Sequence, residues 1–252
     1  MSRRKLGALM IVQKYGGIAM KDETTRKKCI EHIKSGIQKH EKVVIVVSAI
    51  GRKGDPYATD TLLNLSKAFD ADKVARDLIA SCGELIAAAV LSAELNSFNI
   101  NTTVLHGKRA GILTTGEYGD AEIVHLDPSE INAYLKEMDC IIIPGFQGVN
   151  TKGNVMTLGR GGSDLTAVAL AAALNATHTE FYKDVPGVMT GDPRLTKESK
   201  KIDVLTVDEF LLLLNTVNPI IQKRAALYAK LKAMPLYVRG IAGTEDGTWI
   251  IP

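Results

Sequence analysis

Apolar runs of strand length alternate with helix-length amphipathic segments along most of the chain. Residues 9–13 read as a strand, Glu23–Lys39 as a helix, and Lys42–Val47 as a second strand too uniformly apolar to have a solvated face. A helical pattern over 77–95 has Gly83 inside it. An interior glycine costs a helix about 1 kcal/mol, so its presence signals close packing or the approach of a ligand. Residues 102–105 and 122–125 are short strands. Asp127, Pro128 and Glu130 then place a cap, a first-turn proline and a carboxylate where a helix begins, and that helix is predicted to reach Glu137. Residues 140–143 form a buried strand, 150–154 a hairpin turn, 155–158 the returning strand, and 165–174 an alanine-rich helix. A strand over 179–182 enters a loop, 184–194, whose two prolines and two glycines exclude regular structure. Residues 208–214 and 219–232 read as helices, the second with Asn218 as cap and Pro219 in its first turn, and 236–239 as the last strand.

This alternation marks an α/β fold with a largely parallel sheet. At 252 residues and 46% hydrophobic content, the chain can bury one large core. It has no internal repeat or long linker, so a single domain is expected, with lobes of about 1–150 and 151–252. The 31 basic and 28 acidic residues, net +3, are dispersed, which argues against nucleic acid as a partner. Cys29, Cys82 and Cys140 are odd in number and lack metal-ligand spacing, so neither a disulfide framework nor a metal site is assigned. The basic start at 2–5 and the apolar stretch after it are interrupted by Gln13 and Lys14, favouring a core strand over a signal peptide. No apolar run reaches the roughly 18 to 20 residues that span a bilayer, and the cytoplasm is the expected location.

Four segments carry candidate chemistry. Lys14-Tyr15-Gly16-Gly17 follows a buried strand and precedes a helix. Glycine lets backbone N–H groups approach an anion, and the lysine adds a full charge, which suits a phosphate; a tight turn with a solvated lysine is the bland alternative. Gly159-Arg160-Gly161-Gly162-Ser163-Asp164 puts a guanidinium, flexible backbone, a hydroxyl and a carboxylate at one helix start. A simple N-cap would account for Ser163 or Asp164 but not for the arginine and three glycines. Glu84, among alanines and leucines beside Gly83, either lies on a solvated face or binds an ammonium group. The polar, turn-rich loop from Lys183 to Arg194 stands where open α/β sheets place ligands, or is an ordinary surface loop.

In order and spacing these segments, with Val46-Val47-Ser48-Ala49-Ile50-Gly51 and Pro144-Gly145-Phe146-Gln147-Gly148, closely resemble the aspartate kinase branch of the amino-acid kinase family over nearly the whole chain. The resemblance implies a three-layer α/β/α sandwich around a mostly parallel eight-stranded sheet. It implies transfer of a phosphoryl group from ATP, with Mg²⁺, to the β-carboxylate of L-aspartate, giving 4-phospho-L-aspartate, in a homodimer. By motif position Lys14 and Asp164 are implied as catalytic, and Ser48, Thr59, Glu84, Arg160 and Ser163 as substrate-binding, with Glu84 facing the amino group and Arg160 a carboxylate. Nucleotide contacts are implied at Lys14, Gly16, Gly17, Lys183, Asp184, Met189, Asp192, Arg194 and Lys223; no residue is assigned as a metal ligand. The absence of a conspicuous catalytic histidine agrees with this chemistry, since a carboxylate is ionised at neutral pH and needs no general base.

The chain departs from the family pattern in three places. Ile18 and Ala19 replace a threonine and a serine, Lys183 replaces a threonine, and Val217-Asn218-Pro219 replaces a glycine-alanine-lysine motif. The lysine of that last motif is expected to be replaced in function by Lys183 or Lys223. The altered first loop keeps open a kinase for another acidic amino acid or carboxylate, and the departures around the phosphates a weakly active nucleotide-binding subunit. Aspartate kinases usually continue into tandem ACT domains, whereas this sequence ends at Pro252, so feedback inhibition by lysine or threonine is not expected unless a separate subunit supplies it.

Overall fold

The computed structural model describes residues 9–69, 72–191, 199–214, 220–243 and 246–252. Strand β1 (Met10–Tyr15) is buried from Ile11 onward and β2 (Lys42–Val47) from Val43 onward, as strands covered on both faces must be. The short α1 (Gly17–Met20) and α2 (Glu23–Lys39) connect them, and Asp22 caps α2 by accepting from the Thr25 N–H. After β2 come α3 (Thr59–Asn64), the long α4 (Lys73–Ser97), β3 (Thr102–Val104), the hairpin of β4 (Ile112–Glu117) and β5 (Asp120–Leu126), α5 (Ser129–Tyr134) and β6 (Cys140–Pro144). A second hairpin, β7 (Gln147–Val149) and β8 (Val155–Thr157), precedes α6 (Gly162–Ala173) and β9 (Thr179–Lys183). The chain ends with β10 (Val204–Thr206), α7 (Val207–Leu213), α8 (Lys223–Lys232), β11 (Leu236–Gly240) and β12 (Thr248–Ile251).

The main sheet has eight strands in the order β10-β12-β11-β9-β1-β2-β6-β3. All its pairings are parallel except β11 with β12. Strand periodicity divides the core in two. Val12, Val44, Val46, Ile141 and Ile143 point to one face and pack with Ala167, Val168 and Leu170 of α6 and Ala225 and Ala226 of α8. Ile11, Val43, Ile45, Val47 and Ile142 point to the other, against Ile30 and Ile33 of α2 and Ala87, Leu91 and Leu95 of α4. Each buried Val, Ile or Leu contributes about 1.5–3 kcal/mol. The three-layer sandwich and its eight-stranded, mostly parallel sheet are as expected.

Several local expectations need correction. A second sheet, β5-β4-β7-β8, lies beside the first, and β4 and β7 escape a sequence reading because Ile-Leu-Thr-Thr-Gly-Glu and Gln-Gly-Val show no apolar alternation. Helix α5 stops at Tyr134 rather than Glu137, with Pro128 rather than Asp127 at the N-cap. Asp127 instead accepts from the Ser129 N–H. Helix α8 begins at Lys223, not 219, with Gln222 at its N-cap; Asn218 and Pro219 lie outside the described residues. Nor is β11 the last strand, since β12 follows with Thr248 and Ile250 turned inward.

At 25 residues α4 is, by length and composition, apolar enough to cross a bilayer, contrary to the sequence reading. It nevertheless buries Asp77 and Glu84 and packs one side on the main sheet. Its Gly83 reflects close packing: a Cβ there would stand 2.7 Å from the Ala49 Cβ and 3.0 Å from the Tyr57 carbonyl oxygen.

Asp77, 4% exposed, ties α4 to both hairpins. Its carboxylate accepts from Thr157 N (2.7 Å), Thr157 Oγ1 (3.0 Å) and Gly119 N (3.0 Å). Removing it leaves buried donors without partners. Asp77→Ala is therefore expected to cost about 3 kcal/mol in urea unfolding; a loss below about 0.5 kcal/mol would show that water replaces the carboxylate there.

Candidate active site

Parallel strands deliver their C-terminal ends to one edge of the sheet, and the sequence places its polar residues there. Lys14 lies near the end of β1, Ser48 follows β2, and Lys183 ends β9, the strand paired with β1. Helix α6 brings Asp164 to the same point in its first turn. Lys14 Nζ stands 2.8 Å from Asp164 Oδ1, with Lys183 Nζ 3.7 Å from the same oxygen. The Gln222 N–H donates to Asp164 Oδ2 at 3.1 Å.

This cluster is almost dry. Burial alone would raise the Asp164 pKa, but the Lys14 and Lys183 charges outweigh it and hold the carboxyl below its usual range. Burial pushes Lys183 down to about 8, with Asp164 opposing and Lys14 adding to the effect. The cluster thus holds two cationic side chains against one carboxylate.

A cavity of about 680 Å³ opens beside it and is lined by all five expected substrate residues, Ser48, Thr59, Glu84, Arg160 and Ser163. Ser48 Oγ and Ser163 Oγ are 2.7 Å apart. Glu84, 3% exposed, accepts from the Ala49 N–H at 3.0 Å through Oε1, while its buried Oε2 has no hydrogen-bond partner among the described residues. Burial pushes its pKa up to about 8, against the Ala49 N–H and the Lys14 charge. Arg160 is exposed and makes no ion pair with the described residues.

Two glycines are required by space. A Cβ on Gly17 would fall 2.2 Å from the Gly51 carbonyl oxygen. Gly161 has φ +74°, and a Cβ there would overlap Gln222. Gly16 is less constrained: its Cβ would lie 3.6 Å from Lys14 Nζ, which places the lysine ammonium alongside this loop.

The expected nucleotide residues are only partly assembled. Lys183 and Asp184 line a second cleft of about 340 Å³ together with Ile18, Lys28 and residues 240–243. Exposed Asp184 pairs with Arg52 at 3.3 Å, linking the loops after β2 and β9. Lys223 opens α8 directly after Gln222. Met189 is not brought to either cavity and bridges instead to Lys201; Asp192 and Arg194 lie outside the described residues. Sequence reasoning missed Gln222, Arg52 and Asp77. Gln222 acts through its backbone N–H, which leaves no side-chain signal, and the other two depend on contacts far along the chain.

The model of the amino acid kinase family matches residues 10–240, and the chain belongs to this family. Aspartokinase 1 of Bacillus subtilis (strain 168) is 40% identical over 244 residues, 96% of this chain and 60% of that protein. The chain thus spans about 60% of the length of the curated relatives it matches. A crystal structure of aspartate kinase from Synechocystis superimposes with a TM-score of 0.83 at 32% identity, covering 96% of this chain and 39% of that one. UMP kinase from Ureaplasma parvum shares the fold, with a TM-score of 0.69 at 20% identity, over 98% of this chain and 100% of that one.

The raised pKa of Glu84 fixes the sign of a pH effect. In the unfolded chain this carboxyl ionises near its ordinary value, whereas in the fold it keeps its proton up to about 8. Its contribution to stability is therefore full below the unfolded value and is lost as pH rises towards 8. Urea unfolding between pH 5 and 8 is expected to show the parent chain losing stability relative to Glu84→Gln. Parallel profiles would mean that Glu84 is ionised throughout.

Proposed function

We propose that the chain is an aspartate kinase catalytic unit, transferring the γ-phosphoryl group of MgATP to the β-carboxylate of L-aspartate. The observation that carries this reading is the cavity in which Glu84, with a buried unpartnered oxygen, and Arg160 open beside the Lys14–Asp164–Lys183 cluster. An α-amino acid has an ammonium group to satisfy Glu84 and a carboxylate that matches the planar fork of Arg160. Binding of the ammonium would stabilise the ionised form of Glu84.

The acceptor carboxylate is ionised at neutral pH, so the site needs alignment and charge stabilisation rather than a base. Lys14 and Lys183 supply positive charge towards the transferring phosphoryl group, and the loop at Gly16 and Gly17 lets backbone approach it. Asp164 positions both lysines. Magnesium enters with ATP as part of the donor substrate. In this reading aspartate occupies the first cavity and the nucleotide lies towards Lys183, Asp184 and the start of α8. A cytoplasmic homodimer belongs to the same proposal, and sedimentation would test the dimer.

The shared fold raises UMP as another acceptor. Glu84 argues against it, because a nucleoside monophosphate has no cation to pair with a buried carboxylate. A coupled ADP-release assay over aspartate, glutamate and UMP, with hydroxylamine trapping of acyl phosphate, tests the proposal. Turnover with aspartate and a trapped hydroxamate is expected; turnover with UMP alone would overturn it. Arg160→Ala should raise KM for aspartate about 10- to 100-fold, and Lys14→Met should lower kcat about 100-fold or more. Lys183→Met should raise KM for ATP; an unchanged value would remove Lys183 from nucleotide binding.

A further inference from the structure

At the opposite end of β9 from the active site lies a second polar cluster that phosphoryl transfer does not use. His178 immediately precedes the strand and Glu180 is its second residue, whereas Lys183 ends it, roughly 16 Å away at about 3.3 Å per residue. Both are nearly buried. His40, at the C-cap of α2, completes the group: one donor atom from each of the three residues lies within 4.8 Å of the others.

The hydrogen bonding around the cluster is directional. Glu180 Oε2 accepts from Gln13 Nε2 at 2.9 Å and from the Tyr182 hydroxyl at 2.7 Å, which fixes the carboxylate and turns Oε1 towards His178. The Thr177 hydroxyl donates its single proton to the Met10 carbonyl oxygen. In the tautomer that goes with that bond, His178 Nδ1, 3.0 Å from the Thr177 hydroxyl, is the donor between them. In the neutral ring this leaves the lone pair of Nε2 facing an anionic oxygen 3.4 Å away. Such an arrangement calls for a cation. A proton on Nε2 would draw the pair to the 2.7–2.9 Å of a charge-assisted bond. Two donors on one tetrahedral Zn²⁺, with bonds of about 2.0–2.1 Å, stand about 3.4 Å apart. The observed 3.4 Å matches two ligands sharing one metal, and is also within reach of the His178–Glu180 ion pair that a protonated ring would make.

We propose that His40, His178 and Glu180 form a binding site for one divalent transition-metal ion, best matched by Zn²⁺, joining the C-terminal end of α2 to the start of β9. Two imidazoles and a carboxylate suit Zn²⁺ rather than Mg²⁺, which prefers oxygen ligands. His40 offers its donor atom within 4.8 Å of the other two. Gln13, Tyr182 and Thr177 already hold the other two ligands in place, as outer partners do at metal centres. Among the described residues the nearby ring contacts are His40 with His178 and His178 with Trp249. The site does not depend on which acceptor the kinase uses.

The test uses the whole chain without a histidine tag, stripped by chelation and then titrated with Zn²⁺, with Mg²⁺ in parallel. One Zn²⁺ retained per chain after dialysis is expected, with a melting temperature that rises to a plateau at one equivalent and no such plateau with Mg²⁺. His40→Ala, at a half-buried helix end, should weaken Zn²⁺ binding at least 10-fold while the metal-free melting temperature stays close to that of the parent. The Co²⁺ complex of the unaltered chain should give a tetrahedral ligand-field spectrum without thiolate charge-transfer bands. Equal binding by parent and His40→Ala, no retained Zn²⁺, or thiolate bands from Cys82 would each overturn the assignment.

Discussion

The ion cluster of Asp164 with Lys14 and Lys183 is the constraint around which the active edge of the sheet is organised. Its members come from β1, β9 and the first turn of α6, and its fourth contact is the backbone N–H of Gln222 at the N-cap of α8. Removing water from three charged groups costs several kcal/mol each unless they compensate one another, so the cluster persists only if all four elements are docked. Asp164 alone cannot fully compensate two lysines. Burial and the Lys14 charge lower Lys183 to about 8, so its ammonium is under-compensated and gains from any further negative charge. A polyanionic ligand would supply that charge.

The same cluster explains how the cavity is set. Ser163 precedes Asp164 in α6, so docking the carboxylate also brings the Ser163 hydroxyl to Ser48 at the end of β2. Gly145 permits that contact, since a Cβ there would stand 2.7 Å from the Ser163 Cβ. Arg160 and Gly161 are then held at the rim by the turn into α6, where Gly161 gives way to Gln222. The cavity thus draws Ser48 from the end of β2, Ser163 from the start of α6 and Glu84 from the middle of α4.

Much of this was legible in the sequence because it is local. Buried parallel strands announce themselves as unbroken apolar runs, and β2 and α2 fall where the pattern puts them. Arg160 stood out because an N-cap explains neither an arginine nor three glycines, whereas Lys14, Glu84 and Asp164 took their roles from the resemblance in motif order. What could not be read is non-local. The short strands β4 and β7 are specified by pairing rather than by alternation, and α8 starts late because Gln222 is tied to Asp164, 58 residues earlier.

Strand β9 connects the two polar clusters of the molecule. Alternate residues of a strand face opposite sides, so Glu180 and Tyr182 share one face while Phe181 enters the core on the other. Tyr182 hydrogen-bonds Glu180 and stacks on Tyr15, the neighbour of Lys14, with ring centroids 4.6 Å apart. Lys183 follows Tyr182 directly. The stacked rings thus join β1 to β9 one residue away from Lys14 and Lys183, on the opposite face of the strands. Rigid packing of this kind transmits a displacement more readily than it absorbs one, because a close-packed interior has few voids to take it up. The strand that carries Lys183 to Asp164 is thus anchored at its other end by a second polar network.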